Sequence, residues 1–222
     1  MIDFTQGYNR TSWQNFLENS FLTDDYSIKD EAISYTGHYA EKVSKIGDCP
    51  SLKLSVFEMS HNSVNDARVG LSKEAFSLVR EYTKYNKALF LFIPLDKPET
   101  YRFSYVEYTP VMDDKGKLTK EISNHRRFSF ILGKNAKTKT PQQYLIDKRS
   151  VKDAEDLKSR FSVEVLTKEF YKELFKWYDE WAIEYVKFPH GTGKEVKLQK
   201  GEHNRIHLIR LITRFIFVWF MK

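Results

Sequence analysis

One cysteine, Cys49, occurs in 222 residues. An intrachain disulfide and a cysteine-based zinc site are therefore excluded, and a reducing, cytoplasmic setting is the expectation. The 9 glycines never fall into a Gly-X-Gly-X-X-Gly or Walker arrangement, so no glycine loop cradles a phosphate. With only 6 prolines beside them, collagen-like and low-complexity chains are excluded. The first residues, Met1 to Gln6, lack the basic stretch and apolar run of a signal peptide. No apolar run reaches the twenty or so residues of a membrane span. The most apolar stretch, Ile206 to Met221, is interrupted by His207, Arg210 and Arg214. These lie at i, i+3 and i+7 and form one polar stripe on an otherwise apolar helix. No membrane partner is expected.

Aromatics are plentiful at 15%, within a hydrophobic fraction of 41%, so material for a core is ample. Charged residues make up 30%, and the net charge is +6. The excess is local. Between Arg126 and Arg160 there are ten basic residues and four acids, and the rest of the chain balances. Arg126, Arg127, Lys134, Lys137 and Lys139 lead this stretch. It reads either as a solvated basic face or as a phosphate-binding surface.

Periodicity orders the elements. Trp13 to Phe21 reads as a short helix capped by Ser12. Ile33 to Ile46 and Leu52 to Met59 read as strands separated by the Gly47-Asp48-Cys49-Pro50 turn. In the second strand Leu52, Leu54, Val56 and Glu58 share one side. Ser72 to Tyr85 is an amphipathic helix with Ala75, Phe76, Val79 and Tyr82 inward. Ala88 to Leu95 is a continuous apolar run, as expected of a buried central strand. Tyr101 to Tyr108 and Arg127 to Leu132 form a hairpin through Asp113 to Lys117. The expected fold class is α/β, a mixed sheet with flanking helices, over residues 1–150.

Residues 151–222 then read as a helical connector. Phe170, Leu174, Trp177, Trp181 and Tyr185 form one stripe, expected to be core or interface. The terminal helix runs to Lys222 without a cap or glycine stop, so an N-terminal portion of a longer protein is the expectation.

Asp48 and Glu58 are the candidate chemistry. A carboxylate at the end of an apolar strand resembles the metal-dependent nucleases of the PD-(D/E)XK fold. Those enzymes place an acid before or on one strand and a Glu-X-Lys triplet at the end of the next. The resemblance implies that Asp48 and Glu58 would be catalytic and hold Mg²⁺. The third triplet position is Ser60 rather than lysine, which implies a degenerate site. The alternative is a structural Glu58 paired with Arg68 or a surface lysine. The loop carrying His61, Asp66 and Arg68 has no metal-ligand spacing.

Several longer stretches, in order, resemble one bacterial restriction-modification family, the type IIG-like type II restriction enzyme methylase subunits. They are Leu54 to His61, Asp66 to Phe76, Tyr101 to Ser104, Leu132 to Thr138, Phe161 to Tyr171, and Arg210 to Phe220. That resemblance implies a parent that methylates adenine in DNA with S-adenosylmethionine. The parent's remaining chain, with its methyltransferase domain, would be a partner of this one. This chain lacks the Asn/Asp-Pro-Pro-aromatic motif such methylation needs, because no two prolines are adjacent. The implied role is a nuclease-like portion that binds double-stranded DNA, with Arg126, Arg127, Lys134, Lys137 and Lys139 as its candidate contacts. An active Mg²⁺-dependent endonuclease and a protein-interaction module unrelated to DNA are the alternatives.

Overall fold

A computed structural model of the protein describes residues 2–63, 70–109, 123–188 and 200–220. The chain divides into two units, Met1–Val165 and Leu166–Lys222.

In the first unit the extended residue Asn9 caps α1 (Arg10–Phe16), accepting the Ser12 N–H at 2.9 Å. A π-helical turn, Leu17–Phe21, continues the helix. The cap is therefore Asn9, three residues ahead of the expected Ser12. Six strands follow: β1 (Ser27–Ile33), β2 (Ala40–Cys49), β3 (Leu54–His61), β4 (Lys87–Pro94), β5 (Thr100–Thr109) and β6 (Ser123–Gly133). Their spatial order is their chain order. All neighbours pair antiparallel except β3 and β4, which are parallel. A parallel pair cannot be joined by a tight turn. The connection contains α2 (Gly70–Tyr82), which packs on one face of the sheet. The single strand expected over Ile33 to Ile46 is instead two, β1 and β2, separated by residues 34–39. The expected hairpin turn at Asp113 to Lys117 lies outside the described residues.

Alternation on the strands feeds two cores. Leu54 and Val56 of β3, Leu89 and Leu91 of β4, and Phe103 and Tyr105 of β5 face α1, where Trp13, Phe16 and Phe21 cover them. Phe57, Met59, Phe90 and Phe92 face α2 and meet Leu71, Ala75, Phe76 and Val79. Because both faces are covered, β4 reads as an unbroken apolar run rather than an alternating one. Burying both faces this way gives a three-layer α/β unit. Val151, Leu157 and Phe161 belong to the first core. The sheet unit therefore extends past residue 150, through α4 (Ala154–Arg160). A short helix α3 (Lys139–Pro141) and a π-helical turn, Gln142–Asp147, precede it.

The loop between β1 and β2 is held by a buried carboxylate. Glu74 of α2 accepts the backbone N–H groups of His38, Tyr39 and Ala40 at 3.0, 2.8 and 2.9 Å. Three successive backbone donors at the entry to β2 are thereby satisfied.

The second unit contains most of α5 (Val163–Trp177), a π-helical turn Tyr178–Ala182, α6 (Ile183–Tyr185) and α7 (Lys200–Phe220). Asn204 of α7 ties down the segment that follows α6. Its amide donates to the Val186 carbonyl at 2.9 Å and its oxygen accepts the Phe188 N–H at 2.8 Å. The aromatic stripe is not the core of this unit. Phe170, Trp177, Trp181 and Tyr185 remain 44 to 62% exposed. No helix among the described residues is long and apolar enough to cross a membrane.

Replacing Glu74 with alanine orphans three N–H groups and should lower unfolding free energy by about 3 kcal/mol. Glu74→Gln keeps an acceptor and should lose less. Urea denaturation of the two variants checks the order.

Candidate functional site

Glu58 sits on β3 in line with Leu54 and Val56, on the face covered by α1. The N-terminal segment closes over it. Arg10 forks onto the carboxylate, with Nε donating to Oε2 at 2.7 Å and Nη2 to Oε1 at 3.0 Å. The remaining Nη1 donates to Asp30 Oδ1 at 2.7 Å. Tyr8 donates its hydroxyl to Glu58 Oε2 at 2.5 Å. Burial, reinforced by Glu58, pushes the Tyr8 hydroxyl far up, so it remains a donor. One guanidinium thus lies between two carboxylates, the position a divalent cation would need. Glu58 is partnered by Arg10; Arg68 lies outside the described residues.

Asp48 is elsewhere. The pairing of β2 with β3 places Asp48 opposite Ser55 and Ser44 opposite Glu58. Asp48 and Glu58 are three β3 positions apart, about 10 Å along the strand. They also face opposite ways, since Ser55 shares the side of Phe57 and Met59. A bulge is responsible. Lys45 pairs with Phe57 and Gly47 with Val56, which leaves Ile46 as an extra residue. Counted from Ser44, simple alternation puts Asp48 on the Glu58 side, and the bulge moves it across. Glycine is required at 47 because a Cβ there would overlap the Tyr26 ring.

On its own face Asp48 accepts from Ser55 Oγ at 2.7 Å and is bridged by Lys29 at 2.7 Å and Lys45 at 2.9 Å. Burial raises its carboxyl, but hydrogen bonds from Lys29, Ser55 and Lys45 outweigh that and hold it below the ordinary range. The expected joint Mg²⁺ site of Asp48 and Glu58 is therefore not formed. The two acids lie on opposite faces, and each already has cationic partners. No cluster of three metal-ligating His, Cys, Asp or Glu side chains occurs among the described residues.

The basic candidates separate into three groups. Arg126 and Arg127 lie on β6 opposite Glu107 and Val106, but their side chains lie outside the described residues. Lys134, Lys137 and Lys139 are exposed after β6. The backbone there is tied to the N-terminal segment by Gly133 N–H donating to the Phe4 carbonyl at 2.8 Å. Lys148, Arg149 and Lys152 are exposed on the same continuous stretch. Two other cations are taken up internally. Lys158 pairs with Glu107 at 2.7 Å, and Arg160 is buried beside Asp156 at 2.7 Å. What remains outward between 134 and 152 is five lysines and Arg149 against one acid, Asp147, a surplus of five (6 − 1).

Sequence reasoning missed Tyr8 and Arg10 as partners of Glu58, and Asp30 as the second partner of Arg10. Contacts fifty residues apart leave no local signal. The Asp156–Arg160 pair, at i and i+4 on a helix, was visible in principle.

Arg10→Met should destabilise the fold by about 2 kcal/mol, because a largely buried Glu58 charge loses its counterion. Adding Glu58→Gln should restore most of that loss in a double-mutant cycle. Asp48 supplies a pH signature. Its folded-state value is depressed, so its stabilisation is complete above the ordinary value of 3.8 and is lost as pH falls through the lower folded value. Asp48→Asn should flatten the acid limb of a melting-temperature profile. No protein-family model, curated protein or solved structure matches this chain.

Proposed function

We propose that the chain is a DNA-binding module on a degenerate nuclease-like sheet, serving a restriction-modification methyltransferase. It holds duplex DNA without cutting it. The observation that carries this reading is the set of exposed cations on segment 134–152, with its surplus of five positive charges. Lysine and arginine on one continuous stretch neutralise backbone phosphates and release counterions. Absence of cleavage follows from the Glu58 cluster. Arg10 and Tyr8 already engage both carboxylate oxygens of Glu58. Asp48 is on the other face, and Ser60 supplies no cation. A two-carboxylate Mg²⁺ mechanism has nowhere to assemble on Asp48 and Glu58.

The nuclease-like ancestry is supported by order. An acid lies on β2 and a Glu-X-Ser triplet on the next strand, β3, as the resemblance expects. Methyl transfer from S-adenosylmethionine to adenine belongs to the parent chain in this reading. The exposed aromatic faces of α5 and α7 support a polypeptide partner, the methyltransferase part. This chain's contribution is to hold the duplex.

The test is binding of a labelled 20-base-pair duplex from 50 to 300 mM NaCl, with Mg²⁺ present. Retention without nicking is expected. Neutralising Lys134, Lys137 and Lys139 together should make the slope of log K against log salt shallower by about 2 to 3. An unchanged slope removes that loop from the interface, and nicking abolished by Glu58→Ala restores the endonuclease.

A further inference from the structure

A cleft of about 690 Å³ lies between α1 with its π-helical turn and the turn at 146–150. Its polar lining is Ser12, Asn15, Asn19, Ser20, Arg149 and Ser150. It contains amides, hydroxyls and one guanidinium, with no carboxylate. The Ser150 hydroxyl donates to the Ser20 carbonyl at 3.4 Å and the Asn19 amide to the Asn15 carbonyl at 3.1 Å, so Arg149 with Ser12, Asn15 and Ser20 are the donors that suit an oxyanion.

The turn that carries Arg149 is fixed from within the protein. The φ of Arg149 is 61°, the left-handed region. For a residue with a Cβ this costs roughly 1–2 kcal/mol, and glycine or asparagine would serve the turn better. The turn is imposed from beneath. The Arg160 guanidinium, 1% exposed, donates Nη1 to the Arg149 carbonyl at 2.6 Å and Nη2 to the Ser150 carbonyl at 3.0 Å. Asp156 balances its charge at 2.7 Å. The Arg149 N–H closes onto the Ile146 carbonyl at 2.9 Å, and the Val151 N–H onto Phe21 at 2.8 Å. A buried ion pair is thus spent on gripping two successive carbonyls of one surface turn. Arg149 follows Lys148, the C-cap of the preceding π-helical turn, where a left-handed residue is a common helix stop, and the grip of Arg160 fixes the turn that holds Arg149 beside the cleft.

We infer that Arg149 and the hydroxyl and amide groups around it form a seat for a backbone phosphate of duplex DNA. This rests on the DNA-binding reading and names the contact within it. Serine, asparagine and arginine side chains are the groups that fix a protein's register on phosphates without reading bases. Lys148 and Lys152, exposed on either side of Arg149, extend the same track.

The experiment compares the wild-type chain with Arg149→Ala and Arg149→Gly in duplex binding at 50 to 300 mM NaCl. Glycine relieves the left-handed strain, so Arg149→Gly should melt no lower than wild type. Its affinity should nevertheless fall roughly tenfold at 50 mM NaCl, and its salt slope should become shallower by about 1. If wild type binds and Arg149→Gly binds equally with the same slope, the seat is refuted while the DNA reading stands. Should wild type not bind duplex, the DNA reading fails, and a pyrophosphate arm decides the seat. A rise in melting temperature that Arg149→Gly lacks retains an oxyanion seat for a free phosphate ligand; no rise refutes it.

Discussion

The parallel pairing of β3 with β4 is the constraint on which the first unit depends. Two neighbouring strands running the same way oblige the chain to cross the sheet, and α2 makes that crossing. Once α2 covers one face and α1 the other, the central strands lose contact with water on both sides. Apolar side chains then fill nearly every position of β4, and Leu54, Val56, Phe57 and Met59 of β3 are all buried. Any polar group left on those strands must find a partner inside the protein. Glu58 is such a group, and the Arg10–Tyr8 cluster is the consequence.

The same constraint explains why the two acids part company. An acid facing the α1 layer and an acid facing the α2 layer are separated by the thickness of the sheet. Each is neutralised by the cations of its own layer: Arg10 on one side, Lys29 and Lys45 on the other. The arrangement stabilises both carboxylates and denies them a common ion.

Much of the sheet was legible in the sequence. The alternation of Leu54, Val56, Phe57 and Met59 and the apolar run from Ala88 gave β3 and β4 and their faces. The inward residues of α2 were legible for the same reason. β1 was not, because Ser27 to Ile33 is exposed along most of its length and carries no apolar rhythm. The bulge at Ile46 was equally silent, since an extra residue in a pattern looks like an imperfect pattern. It is the feature that decides the candidate site. The reach of the unit past residue 150 was obscured by a shift in composition. The buried positions Val151, Leu157 and Phe161 are too sparse to outweigh the surrounding charge.

The lone thiol has a practical consequence. Cys49 is fully buried, in a core beside Tyr26 and Leu54, and burial raises its thiol above the ordinary value. A protonated sulfhydryl shut away from solvent is a poor nucleophile toward maleimides and iodoacetamides. The native chain is therefore a silent background for conjugation chemistry. A cysteine introduced on its surface would be the one reactive handle for a fluorophore or spin label, with no prior removal of the natural one.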